Sequence, residues 1–98
     1  MNINYTWRNT PKTEALETLA NKKLDKVTRH FDKITSVHVI FDVDNKQNHH
    51  AKATLHIPGH EIVASATSED MYKAIDDMIN KLLRQIDGHK QKMQDHRE

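Results

Sequence analysis

Ile3, Tyr5 and Trp7 alternate with Asn4 and Thr6, which predicts a strand over residues 2–7 with one buried face. Asn9-Thr10-Pro11 interrupts that pattern, and either Thr10, followed by Pro11, or Thr13 can cap a helix there. From that point Leu16, Leu19, Ala20, Leu24, Val27 and Phe31 recur at steps of three and four, one apolar stripe along a helix that ends at Asp32-Lys33. Alternation returns over residues 36–44, where Val37, Val39, Phe41 and Val43 share a face. Lys46-Gln47-Asn48 reads as a turn. Ala51, Ala53, Leu55 and Ile57 then point inward, with His50, Lys52, Thr54 and His56 outward. Pro58-Gly59 turns the chain into a hairpin partner whose Ile62, Ala64 and Ala66 face in. Thr67-Ser68-Glu69-Asp70 offers hydroxyl caps and two acids for a second helix, whose stripe is Met71, Tyr72, Ile75, Met78, Ile79, Leu82 and Ile86. Gly88 is the expected stop.

The resulting order is β-α-β-β-β-α, an α+β fold in two layers. A helix between the first two strands makes them parallel if they are neighbours, and the later strands pair as hairpins. Each helix has one apolar face, so both are expected on the same side of a four-stranded sheet. At 98 residues the chain has room for one modest core. Residues 1–88 are expected to form that single domain, with 89–98 a polar, flexible tail. The N-terminus lacks the basic and apolar regions of a secretion signal, and no segment is apolar enough to span a membrane. The absence of cysteine fits a reducing compartment, so a cytoplasmic protein is expected.

A net charge of +1 is modest for a nucleic-acid binder, so the distribution of charge matters more than its sum. Lys22, Lys26, Arg29 and Lys33 follow at steps of four, three and four on one helix face, with Lys23 and His30 beside them. Lys81 and Arg84 share a face of the second helix, and Lys90 and Lys92 follow. Glu14 and Glu17, like Glu69, Asp70, Asp76 and Asp77, gather nearer the helix starts. Acid-first, base-last helices also satisfy simple dipole matching, and a solvated lysine face is the ordinary fate of such residues. If the two helices run alike, however, their basic ends meet, and some eight cations form a footprint for phosphates.

Other chemistry finds little support. The chain has eight histidines, but no pair stands at helical spacing beside a glutamate as a zinc hydrolase requires. His50 and His56 share an outer sheet face with Lys52 and Thr54, and His38 joins them. They read as exposed strand residues, or alternatively as a pH-sensitive or RNA-facing surface. The adjacent acids Glu69-Asp70 and Asp76-Asp77 diverge by about 100° on a helix and form no acid/base couple. Two glycines cannot build a phosphate-cradling loop, and no serine sits in a glycine elbow. An enzyme, a metal or a cofactor is therefore not expected. Tyr5, Trp7, Phe31, Phe41 and Tyr72 fall mostly on inward faces and read as core rather than as base-stacking platforms.

The segment 70–76, Asp-Met-Tyr-Lys-Ala-Ile-Asp, continued by Lys81-Leu82-Leu83-Arg84-Gln85-Ile86 and Lys90, resembles the second helix of the ribosome hibernation promoting factors. Residues 53–57 with Ala64-Ser65-Ala66 resemble that family's central hairpin. Lys23-Leu24-Asp25-Lys26 and Phe31-Asp32-Lys33-Ile34 resemble the end of its first helix. The resemblance implies a fold similar to double-stranded-RNA-binding domains, docked in the small-subunit channel where messenger and transfer RNA lie. It implies phosphate contacts to 16S ribosomal RNA from Lys22, Lys23, Lys26, Arg29, Lys81, Arg84 and Lys90. The family often has a further basic residue where Gly88 stands, which leaves that contact in question. The length resembles the short type, which pairs 70S ribosomes into 100S dimers with a separate protein, ribosome modulation factor, in stationary phase and stress. Off the ribosome a monomer is expected. The competing readings are an inhibitor that silences 70S ribosomes without pairing them, a generic double-stranded-RNA module, and a structural domain that associates through a sheet face or edge.

Overall fold

Six elements follow one another as β1 (Asn2–Arg8), α1 (Glu14–His30), β2 (Ser36–Val43), β3 (His49–Ile57), β4 (His60–Ser68) and α2 (Met71–Asp95). The computed structural model describes residues 2–95, with side chains described as far as residue 90. The strands form one sheet in the order β1-β2-β3-β4. β1 and β2 are parallel, and the two later pairings are antiparallel. Pro58 sets a negative φ and Gly59 supplies a positive one (73°), the combination of a type II turn, which closes the β3–β4 hairpin on the Ile57–His60 pair.

The inner face of the sheet is graded in size. Tyr5 and Trp7 on β1 pack against Phe41 on β2, with ring centroids 5.8 and 4.5 Å apart. On β3 and β4 the opposed inward residues are Ala51 with Ala66 and Ala53 with Ala64. The backbone of α2 comes close to β3 and β4 over this alanine floor and lies alongside α1. The hydroxyl of Tyr5 donates to Oδ1 of Asn21, which puts α1 above the aromatic half. Leu24, Val27, Ile75, Met78, Leu82 and Ile86 are buried between the layers, as their spacing predicts.

One open alternative is decided and two local expectations are corrected. Thr13, not Thr10, stands at the N-cap of α1, and its hydroxyl makes no capping bond. At α2 the cap is neither Thr67 nor Ser68: Oδ1 of Asp70 accepts from the backbone N–H of Tyr72 (2.8 Å) and of Lys73 (3.4 Å). The stop expected at Gly88 does not occur, because α2 continues to Asp95. Contacts beyond the glycine outweigh its poor helix propensity: His89 stacks on His60 at 5.3 Å and meets Phe31 edge-on at 5.8 Å. The remainder of the expected tail, 96–98, lies outside the described residues.

Candidate nucleic-acid interface

The mutual direction of the helices decides whether a basic surface exists. Nζ of Lys23 on α1 lies 2.5 Å from Oδ1 of Asp76 on α2. Farther along, Nε2 of His30 lies 2.7 Å from Oδ1 of Asp87, and Nζ of Lys90 donates to the carbonyl of His30 at 2.6 Å. Both helices advance in the same direction along this seam, so they run parallel and their basic halves lie at one end. The topology produces this result: α1 crosses back between parallel strands, and α2 runs back against β4, where Lys81 reaches Ser65 and Gln85 reaches Val63.

The candidate cations fall into distinct groups. Lys22, Lys26, Lys33 and Arg84 are exposed and make no ion pair among the described residues. Arg29 is exposed but pairs with Asp25 one turn earlier, 2.9 Å away, an interaction weak enough in water to yield to a phosphate. Lys23 is half-buried in its pair with Asp76. Lys90 is drawn in over the Phe31 ring, 5.9 Å from its centroid, while it bonds His30. Lys81 turns the other way, toward the open edge of β4, where its ammonium donates to the Ser65 carbonyl at 2.8 Å. The Lys92 side chain lies outside the described residues. Lys22, Lys26 and Arg29 are exposed together along α1, Lys33 is exposed just beyond its end, and Lys23 and Lys90 lie in the seam. Arg84 and Lys81 line one groove with Asp77, Asn80, Ala66 and Thr67 on the β4 side of α2.

The opposite face of the sheet is polar and internally bonded. His38 Nε2 lies 2.8 Å from Thr6 Oγ1, and His50 bridges Thr67 Oγ1 (2.8 Å) and Asp44 Oδ2 (3.0 Å). Asp44 also accepts from the backbone N–H of Lys46 and Asn48 across the β2–β3 turn. The His50 bond first, and the Asn48 N–H next, hold the Asp44 carboxyl well below the usual carboxylate range. Among the described residues no three metal-ligating side chains converge, and no helix is long and apolar enough to cross a membrane.

Residues 3–94 match the family described as Sigma 54 modulation protein / S30EA ribosomal protein. The chain belongs to this family. It is 45% identical over 96 residues to a ribosome hibernation promoting factor of Escherichia coli, covering 98% of this chain and all of that one. A protein of the same name from Pseudomonas putida is 46% identical over 94 residues, covering 96% of this chain and 91% of the relative. Among solved structures, a ribosomal subunit interface protein from Coxiella burnetii superposes with a TM-score of 0.86 at 36% identity, covering 92% of this chain and 98% of that one. The N-terminal domain of Protein Y from Thermus thermophilus gives 0.79 at 28% identity, covering 88% and 96%. The family match in this S30EA-type chain thus runs from β1 into the long α2.

One aromatic was misjudged from its spacing. Tyr72 belongs by period to the buried stripe of α2, yet it is 51% exposed. It shares a helix line with Asp76, which faces α1 rather than the sheet. The signal in the sequence was the acid one turn later, which marks that line as the border of the stripe.

Proposed function

We propose that this chain is a ribosome hibernation factor that works by occupancy. Its helix layer docks on phosphates of 16S ribosomal RNA in the small-subunit channel, excludes messenger and transfer RNA, and leaves the ribosome inactive. With ribosome modulation factor it favours paired 100S particles. It acts in the cytoplasm, as a monomer when off the ribosome, and catalyses no reaction. The observation that supports this reading is the parallel seam of Lys23–Asp76 and His30–Asp87, which runs the two helices alike with their basic halves at the same end. Phosphates reward such a surface by releasing counterions. The names borne by the relatives in Escherichia coli and Coxiella burnetii support the ribosome as the partner, and the channel and 16S contacts follow from the family resemblance.

Co-sedimentation with small subunits and with 70S ribosomes tests the docking. The double variant Lys26→Glu/Arg84→Glu should lose binding and keep its fold, whereas Lys12→Glu, toward the opposite end of α1, should bind as the parent does. Affinity should fall steeply with salt for the parent and less steeply for variants that lose a phosphate contact. Equal binding by the double variant at low salt would refute the surface. Sucrose gradients with and without ribosome modulation factor separate pairing from silencing: 70S particles that stay single with both proteins present would leave silencing alone.

A further inference from the structure

β4 is an edge strand, paired with β3 on one side only. Its hairpin closes on the Ile57–His60 pair, so Ile62, Ala64 and Ala66 exchange backbone hydrogen bonds with β3. The N–H and C=O groups of the alternate residues, Val63 and Ser65 among them, point out from the sheet. Such a row of free groups is a template for another strand. Val63 adds an apolar side chain there, 41% exposed.

α2 covers this row. Nζ of Lys81 donates to the Ser65 carbonyl at 2.8 Å, and Nε2 of Gln85 donates to the Val63 carbonyl at 2.6 Å. The match is geometric: four residues of helix rise about 6 Å and two residues of strand about 6.8 Å, so successive turns of α2 meet successive outward carbonyls. The same line continues at both ends. Asp77 shares a groove with Thr67, and His89 stacks on His60 at 5.3 Å.

We propose that Lys81 and Gln85 form a strap that closes the β4 edge against a second copy of this chain. Antiparallel pairing of two β4 strands about Val63 is self-complementary. It sets Val63 against Val63 and Glu61 against Ser65, an apolar contact with no like charges opposed. Its hydrogen bonds need the Val63 and Ser65 carbonyls, which are the two that the strap occupies. The proposal rests on the monomer of the ribosome-docking reading and supplies the device that maintains it.

Sedimentation velocity over a range of concentrations, joined to amide exchange at Val63 and Ser65, tests the strap. The parent should stay a single copy. Lys81→Ala/Gln85→Ala replaces only exposed residues, so its helices should persist by circular dichroism. As concentration rises it should shift to twice the parent's mass, and either single substitution should shift part of the way. In the dimer the Val63 and Ser65 amides should exchange more slowly than in the parent, because their N–H groups then bond the partner strand. Adding Val63→Lys sets like charges face to face and should restore the single copy. A double variant that stays monomeric at every concentration would overturn the strap, as would a dimer whose Val63 and Ser65 amides exchange as in the parent. A parent already paired through those amides would overturn both the strap and the monomer. No ribosome enters these measurements, so failure of the strap leaves the docking surface standing. Unchanged ribosome binding by Lys26→Glu/Arg84→Glu removes the docking surface and leaves the strap.

Discussion

Nζ of Lys90 on α2 donates to the backbone carbonyl of His30, 2.6 Å away in the last turn of α1. The ammonium thereby meets an unpaired carbonyl at the negative end of the α1 dipole. The contact exists only because α2 continues past Gly88, a position where an added methyl would meet no atom within 4 Å. Gly88→Ala should therefore stabilise the domain by about 0.5–1 kcal/mol, since alanine loses less backbone freedom in a helix. Urea denaturation should show a higher midpoint at unchanged slope, and ribosome binding should hold or improve.

The alanine floor under α2 leads to the opposite expectation. Ala53 and Ala64 are opposed on β3 and β4 and both are buried. Ala53→Leu overfills that space and should cost about 1–3 kcal/mol. The added bulk lifts α2 away from the sheet and disturbs its seam with α1. Affinity for small subunits should fall although no cation is removed, and circular dichroism should show the helices retained.

Acid should loosen the β2–β3 turn first. The carboxyl of Asp44 is lowered chiefly by the His50 bond, then by the Asn48 N–H. A carboxyl lowered by folding contributes stability in full above its unfolded value, and that contribution is lost as pH falls through the folded value. Unfolding midpoints measured from about pH 5 downward should decline more steeply in the parent than in Asp44→Asn. The same turn holds Gln47 at a φ of 64°, so its loosening should also raise amide exchange there.

Alkali acts on the other edge of the sheet. Burial first, and the nearby charge of Glu17 second, push the Tyr5 phenol from 10.0 to about 12. The folded chain therefore holds this proton more tightly than the unfolded chain. Its contribution is full below 10.0 and is lost as pH rises toward about 12. Ultraviolet titration of the phenolates should find one late group that disappears in Tyr5→Phe. Stability in that window should fall less in the variant than in the parent.

The element order was legible because each strand and helix carries a clean period, and the buried set follows it from Leu16 to Ile86. The direction of the helices was legible only as a condition. An α1 that returns between parallel strands and an α2 that returns against β4 must run alike, but that follows once strand adjacency is known. Side-chain destinations were less legible. Lys81 and Arg84 share a helix face by count and line one groove beside β4, but the spacing gave no sign that the Lys81 ammonium would bond the Ser65 carbonyl at that sheet edge. Gly88 reads as a stop by propensity alone, and the stacking of His89 on His60 joins residues too far apart in sequence for a periodic pattern to reveal. Tyr72 was hidden by its place at the rim of an apolar stripe.

The cations that face outward come from stretches separated by some fifty residues, and the Lys23–Asp76 pair fastens them side by side. Neither helix excised as a peptide would present this array. A protease that nicks the turn between β2 and β3 and lets the halves part should therefore abolish ribosome binding, without cutting next to any of these cations.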